Sequence, residues 1–197
     1  MTSRSLRATC LAALVVPTAL VLAACSGSGG GTPSASPSTG VVGQRVTQDC
    51  DELVPTTTFS VYGQDFERVR TPTPEKGSPA AQIAAQDGRV CTWRSTTDED
   101  ATVIVAVAHL PEKTLTRLAD ALFEQGGSVP TYTVEGYFSL HDGSGRADAF
   151  AGPYWIHTDS SLFTEPGTAQ PVVDAVRQTV TPDATAPAVA PSTAPTP

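Results

Sequence analysis

Three histidines are the residues of this chain best suited to acid–base chemistry: His109, His141 and His157. An imidazole that is oriented by a carboxylate can take a proton from a hydroxyl and so make a nucleophile. The sequence offers two arrangements of this kind, a His141–Asp142 pair and a pair centred on His157. The hydroxyls close to them in sequence belong to Ser139 and Ser144.

The alternative is that these histidines lie near strand ends and face solvent. Adjacent residues of a strand point to opposite faces, so His141 and Asp142 orient each other only where a turn intervenes. We expect the solvent-exposed arrangement and no catalytic residue, with a hydrolase kept as an alternative.

No metal or cofactor site is predicted. Asp142, Ser144, Arg146 and Asp148 imitate the first positions of a calcium-binding loop, but Arg146 puts a cation there and no Glu follows at the twelfth position. The glycines of residues 143–145 lack the third glycine of a dinucleotide-binding loop. No two histidines have the i, i+4 spacing of a zinc site, and we expect the protein to use no cofactor.

Residues 1–24 have the pattern of a secretory signal. Arg4 and Arg7 precede an apolar run that extends over residues 8–24 and is interrupted by Pro17. A transmembrane anchor is the alternative, but it needs about 20 apolar residues. The pattern of a positive start followed by a short apolar segment favours a signal peptide.

The end of this run, Leu22-Ala23-Ala24-Cys25, resembles the lipobox of bacterial lipoproteins. That resemblance implies that the Cys25 thiol carries a diacylglycerol, and two acyl chains hold a protein on a bilayer where one does not. Loss of Arg4 and Arg7 with the signal would leave an even more acidic chain than the formal net charge of −8 indicates. We therefore expect the lipid, and not the protein surface, to hold the chain on the extracytoplasmic face of the membrane.

Two of the four cysteines remain once Cys10 leaves with the signal and Cys25 takes the lipid. Cys50 and Cys91 form an even pair in an oxidising compartment, so we interpret them as one disulfide. A two-thiolate metal site is the alternative, but the pair lacks CxxC spacing and a neighbouring His. A reactive catalytic Cys would leave its partner unpaired.

Trp93 and Trp155 are expected in the core, which is the usual place for large aromatic side chains. The functional alternative is an aromatic binding face. Tyr137 and Trp155 belong to neighbouring predicted strands, and on a shared, wetter face they could bind a sugar, lipid or peptide. This pair is the candidate binding face.

The chain divides into four parts. The signal (1–24) is followed by the lipidated Cys25 and a Gly-, Ser- and Pro-rich tether (25–43), a globular domain (44–180) and a Pro-, Ala- and Thr-rich tail (181–197). Uncharged, apolar-poor segments of this composition cannot bury a core, so the tether and tail are expected to be disordered. The domain is long enough for one core.

Within the domain, apolar spacing predicts helices over residues 111–125 and 169–180, the latter with Thr168 as N-cap. Shorter helices are possible over 51–62 and 80–86. Alternating or β-branched runs predict five strands, over 89–95, 101–110, 132–141, 147–151 and 154–158, with hairpin turns at 98–100 and 142–145. Short links favour an α+β domain in which about five antiparallel strands carry helices on one face.

Two motifs of the domain resemble a family of actinobacterial lipoproteins of unknown function. They are the Cys50-x-x-Leu53 opening and the later Gly88-x-x-Cys91-x-Trp93. The resemblance implies a Cys50–Cys91 disulfide and an exported α+β domain, and it brings no catalytic residue with it.

The leading hypothesis is a membrane-anchored extracytoplasmic binding or interaction module. Its partners would be the membrane, through the lipid, and an envelope component or another membrane protein. Twelve basic residues against 20 acidic ones disfavour nucleic acid as a partner, because phosphates require Lys and Arg. A structural or spacer protein without a specific ligand is the alternative.

Overall fold

The computed structural model describes residues 41–182. The predicted signal peptide, Cys25, nearly all of the predicted tether and the tail from residue 183 lie outside the described residues. The described part is α+β, as predicted, with one antiparallel sheet of six strands in the order β1-β2-β3-β6-β5-β4. The strands are β1 (Phe66–Arg68), β2 (Arg89–Ser95), β3 (Thr102–His109), β4 (Glu135–His141), β5 (Ser144–Ala151) and β6 (Tyr154–Ser160).

The helices are short except for two. They are α1 (Cys50–Leu53), a 3₁₀ helix (Thr56–Tyr62), α2 (Pro79–Ala84), α3 (Glu112–Gln125) and α4 (Pro166–Val180). The prediction for α3 is confirmed. The helix begins after Pro111 and ends at Gly126, whose φ of 87° is available to glycine at little cost.

Two tight turns fix the register of β4, β5 and β6. Asp142 and Gly143 join β4 to β5 with positive φ at both residues, which is the signature of a type I′ hairpin turn. Gly152, also at positive φ, joins β5 to β6 together with Pro153. Both connections are two residues long, so each strand pairs with the next from the turn outward.

The core face of the sheet, as we call the side that bears Cys91, Trp93, Val105 and Ile156, is covered by α1, the 3₁₀ helix and α4. These helices contribute buried side chains such as Leu53, Phe59 and Val172. The predicted disulfide is present and joins Cys50 of α1 to Cys91 of β2, with Cα atoms 5.6 Å apart. Trp93 is fully buried beside it, as expected for a core residue.

The opposite side of the sheet is the α3 face, defined by Ala106, Ala108, Asp148, Trp155 and His157. Helices α2 and α3 cover much of it, through apolar side chains that include Ile83 of α2 and Leu115 of α3. The prediction placed helices on one face only. The structure differs because β3 is apolar and small on both of its sides, and such a central strand is buried on both.

Other differences concern the ends of elements. Helix α4 begins three residues before the predicted start at residue 169, because Glu165 is its N-cap and Thr168 completes a capping box instead of capping the helix. Strand β5 begins at Ser144 and not at residue 147, because the hairpin turn takes only two residues. Strand β1 lies in a polar, Pro-rich stretch and was not predicted.

Candidate functional site

The register of the sheet brings three polar or aromatic side chains into one row on the α3 face. Tyr137 of β4 lies opposite Asp148 of β5, and Asp148 lies opposite His157 of β6. The row continues through Ala106 of β3 to Val90 of β2. Side chains directly opposite one another in antiparallel strands are close enough to interact.

Asp148 is the centre of this row. The residue is only 7 % exposed, and its Oδ1 accepts hydrogen bonds from Trp155 Nε1 at 2.7 Å and from His157 Nδ1 at 2.9 Å. A carboxylate oxygen is an acceptor, so Nδ1 of His157 carries the proton in this contact. We refer to Asp148, Trp155 and His157 as the Asp148 cluster.

An ion pair occupies the next row of the α3 face. Arg146 Nε lies 2.8 Å from Asp159 Oδ2, and both side chains are largely buried. A bond between two charged groups is stronger than a neutral one, and it fixes both side chains. The guanidinium of Arg146 is therefore already engaged within the protein.

Tyr137 closes the row at the edge strand β4. Its hydroxyl donates a hydrogen bond of 2.6 Å to Glu135 Oε1. Burial raises the pKa of Tyr137 to about 12, helped by this bond and by the negative charges of Glu135 and Asp120. The surroundings of Tyr137 are thus acidic.

The C-terminal end of α3 and the row of strand residues enclose a small cavity of about 80 Å³, the polar pocket. Asp148 contributes a buried carboxylate to its lining, while Gln125 and Ser139 are exposed at its mouth. Its other lining residues are Leu122, Gly126, Gly127, Tyr137, Phe138 and Arg146.

A larger and mostly apolar depression of about 320 Å³, the apolar groove, lies between α2 and α3. Trp155 lines it from the sheet, and Leu118 lines it from α3. Since Trp155 also donates to Asp148, one side chain links the groove to the Asp148 cluster. The remaining lining residues are Val42, Gln82, Ala85, Gln86, Leu110 and Thr114.

The predicted aromatic face is only partly present. Tyr137 and Trp155 do lie on one face of the sheet, but each is only 5 % exposed, because α3 lies over this face. Tyr137 lines the polar pocket and Trp155 lines the apolar groove. An exposed stacking platform is thus replaced by two separate cavities, and ligand binding at either aromatic side chain stays a prediction.

The histidines behave differently from one another. His157 is in the interior of β6, 1 % exposed and bonded to Asp148, so the expectation that it faces solvent is wrong. His141 and Asp142 do form an exposed pair at 3.1 Å, because the αL conformation of Asp142 begins the turn. His109 packs edge-on against Tyr154.

The structure does not assemble the nucleophilic set that was the alternative to solvent-facing histidines. Within residues 41–182, neither Ser139 nor Ser144 forms a hydrogen bond to a histidine, although Ser139 shares the polar pocket with Asp148. No group of three His, Cys, Asp or Glu side chains in the same range is arranged to hold a metal ion. Nor does the described part of the chain contain a helix long and apolar enough to span a membrane.

The residue that sequence reasoning missed is Asp148, which appeared there only as part of a failed calcium-loop pattern. Its neighbours Tyr137 and Trp155 were singled out, but the carboxylate that organises them was not. The comparisons with known proteins add nothing to this geometry: no family model, curated protein or solved structure matches the chain.

Proposed function

We propose that this protein is a lipoprotein, anchored on the extracytoplasmic face of the cell membrane through Cys25, whose domain binds an envelope component or another membrane protein. The lipobox-like sequence that ends at Cys25 supports the anchor. The Cys50–Cys91 disulfide supports an oxidising compartment, since such bonds are rare in the cytosol.

The observation that carries the binding role is the Asp148 cluster. Buried carboxylates are uncommon in proteins, and this one is held by two donors while it also lines a cavity. Here the carboxylate lies between two cavities on one face of the sheet. We therefore place the binding surface on the α3 face.

Site-directed photo-crosslinking in living cells tests this assignment. A photoreactive amino acid replaces Gln125, which is exposed at the mouth of the polar pocket. The matched control replaces Val61, which is 62 % exposed on the 3₁₀ helix, on the core-face side of the sheet. We expect a discrete adduct with the Gln125 probe and none with the Val61 probe.

Equal crosslinking from both positions, or none from either, would contradict a binding role for the α3 face. Either result would favour the spacer alternative, in which the domain has no specific ligand. A further control is the Gln125 probe in a chain whose pocket mouth is filled by Ser139→Leu, since a ligand of this surface should then crosslink less.

A further inference from the structure

We propose that the polar pocket binds the primary ammonium group of a small aliphatic amine. This inference rests on the proposal that the α3 face is the binding surface, and it names the chemistry that the surface recognises. Three features of the pocket support this assignment: a carboxylate oxygen that accepts no hydrogen bond from the described residues, acidic surroundings, and the size and walls of the cavity.

The carboxylate of Asp148 has an unused acceptor. Oδ1 takes both donors of the Asp148 cluster, whereas Oδ2 accepts no hydrogen bond from the described residues. An ionised carboxylate can accept about four hydrogen bonds through its two oxygens. The Asp148 side chain is 11 % exposed and lines the pocket, so a donor that enters the pocket can reach this oxygen.

The basic side chain in contact with Asp148 is that of His157, and no Lys or Arg among the described residues forms an ion pair with this carboxylate. Arg146 also lines the pocket, but its Nε is bonded to Asp159. Glu135 and Asp120 add negative charge next to Tyr137. An acidic, partly desolvated cavity of this kind favours a cation over an anion or a neutral group.

The polar groups that line the pocket can accept hydrogen bonds from the three N–H groups of a primary ammonium. Gln125 donates its amide to Ala121, which leaves its Oε1 free to accept. The hydroxyl of Ser139 is also at the mouth. A primary ammonium has three donors and no acceptor, which matches Asp148 Oδ2, Gln125 Oε1 and Ser139 Oγ in number.

The cavity selects a small group. Its volume of about 80 Å³ exceeds what one water needs but is well below that of a site for a drug-sized ligand. Leu122 provides an apolar wall for a short carbon stem, and the ring of Tyr137 can stabilise a cation nearby. A quaternary ammonium is bulkier and has no N–H, so we expect it to be excluded.

Nuclear magnetic resonance of the purified full chain in detergent micelles tests the proposal. The reporter is the indole N–H of Trp155, which donates to Asp148 and is one of only two indole signals of the chain. Trp155→Phe assigns it. We expect ethanolamine to shift this signal in a saturable manner, whereas ethanol and tetramethylammonium leave it unchanged.

Three variants make the test specific. Asp148→Asn keeps the shape and should weaken ethanolamine binding at least tenfold, and Ser139→Leu, at an exposed position, should abolish binding by filling the mouth. Asp142→Asn removes an exposed carboxylate away from the pocket and should bind normally. The Ser139 variant keeps the test valid if the Asp148 variant fails to fold.

Glucosamine is tested beside ethanolamine, because the ammonium group can belong to an amino sugar or to a lipid head group. Tighter binding of ethanolamine identifies the first source, and tighter binding of glucosamine identifies the second. Absence of a saturable shift with both amines, or unchanged binding in Ser139→Leu, overturns the proposal. Crosslinking at Gln125 in that case would preserve the binding role and reject only the ligand class.

Discussion

At the scale of single residues, Asp148 organises the candidate site, because its carboxylate accepts hydrogen bonds from two neighbouring side chains. It fixes the indole of Trp155 and the imidazole of His157 at once. Removal of one partner from such a buried arrangement leaves the others unsatisfied, at about 1–3 kcal/mol for each group. The cluster is therefore a rigid support for the two cavities beside it.

Tyr137 gives a prediction about pH. Burial raises its pKa to about 12, against roughly 10 in the unfolded chain. Above pH 10 the unfolded chain loses this proton while the folded chain keeps it, so the contribution to stability is complete below pH 10 and is lost as the pH rises to about 12. We expect the free energy of unfolding to fall less steeply over this interval in Tyr137→Phe than in the wild type.

Urea unfolding at a series of pH values measures this difference. Tyr154→Phe is the matched control. Tyr154 is the first residue of β6, where it is paired with His109, and the hydrogen bond to Glu135 comes from Tyr137 and not from Tyr154. If Tyr137→Phe and the wild type lose stability with the same slope, the hydroxyl of Tyr137 is not held in its protonated form by the fold.

At the scale of elements, much of the fold could be predicted because periodicity and turn residues are local signals. Helix α3 and strands β2, β3 and β6 follow from such signals, whereas the disulfide follows from the even pair of cysteines that remains in an exported chain. Strand β1 could not be predicted, because its three residues pair with β2 through the backbone and bury little of their own. The covering of both faces depends on tertiary packing and not on a local pattern.

The Asp148 cluster could have been found from the same signals. Counting outward from the two-residue turn at Gly152 and Pro153 places Asp148 opposite His157. Counting from Asp142 and Gly143 places Tyr137 opposite Asp148. The prediction of a longer turn at residues 142–145 concealed the pairing of Tyr137 with Asp148, because a four-residue turn places Tyr137 opposite Phe150 instead.

Gly145 gives a prediction about how β5 packs. A Cβ at this position would overlap the carbonyl oxygen of Phe163 and lie 2.8 Å from Cζ of Phe138. Backbone atoms cannot move aside easily, so we expect Gly145→Ala to destabilise the protein by about 1–3 kcal/mol. Chemical denaturation followed by circular dichroism measures the loss.

Gly167→Ala is the matched control. Gly167 lies in the first turn of α4, and no neighbouring atom is within 4 Å of an added Cβ. Alanine is the better helix former, so this variant should be neutral or more stable by up to about 1 kcal/mol. Equal effects of the two substitutions would show that the close contact at Gly145 is not what requires glycine.

At the scale of the whole molecule, charge and attachment determine where the domain can act. The chain carries a formal net charge of −8, so an anionic membrane surface would repel it weakly. The membrane attachment that we propose would then come from the lipid on Cys25. We expect Cys25→Ser to move the protein from the membrane fraction to the soluble or secreted fraction.

Immunoblotting of fractionated cells measures this shift. Cys10→Ser is the matched control, because Cys10 lies in the apolar part of the predicted signal and should leave localisation unchanged. A Cys25→Ser protein that stays in the membrane fraction would indicate an uncleaved anchor in place of a lipid.

The two ends of the described chain lie at the same end of the sheet, where β5 turns into β6. Gln44 bridges to His109 at the end of β3, and the Thr181 side chain reaches the turn at Gly152, beside the strand pair that His109 forms with Tyr154. The polar pocket lies nearer the opposite end of the strands, where β4 turns into β5. A circular permutant could therefore be made by joining residues 44 and 181 with a short linker and opening the chain at the exposed turn that contains Glu99. This permutant would keep every strand pairing and leave the pocket unobstructed.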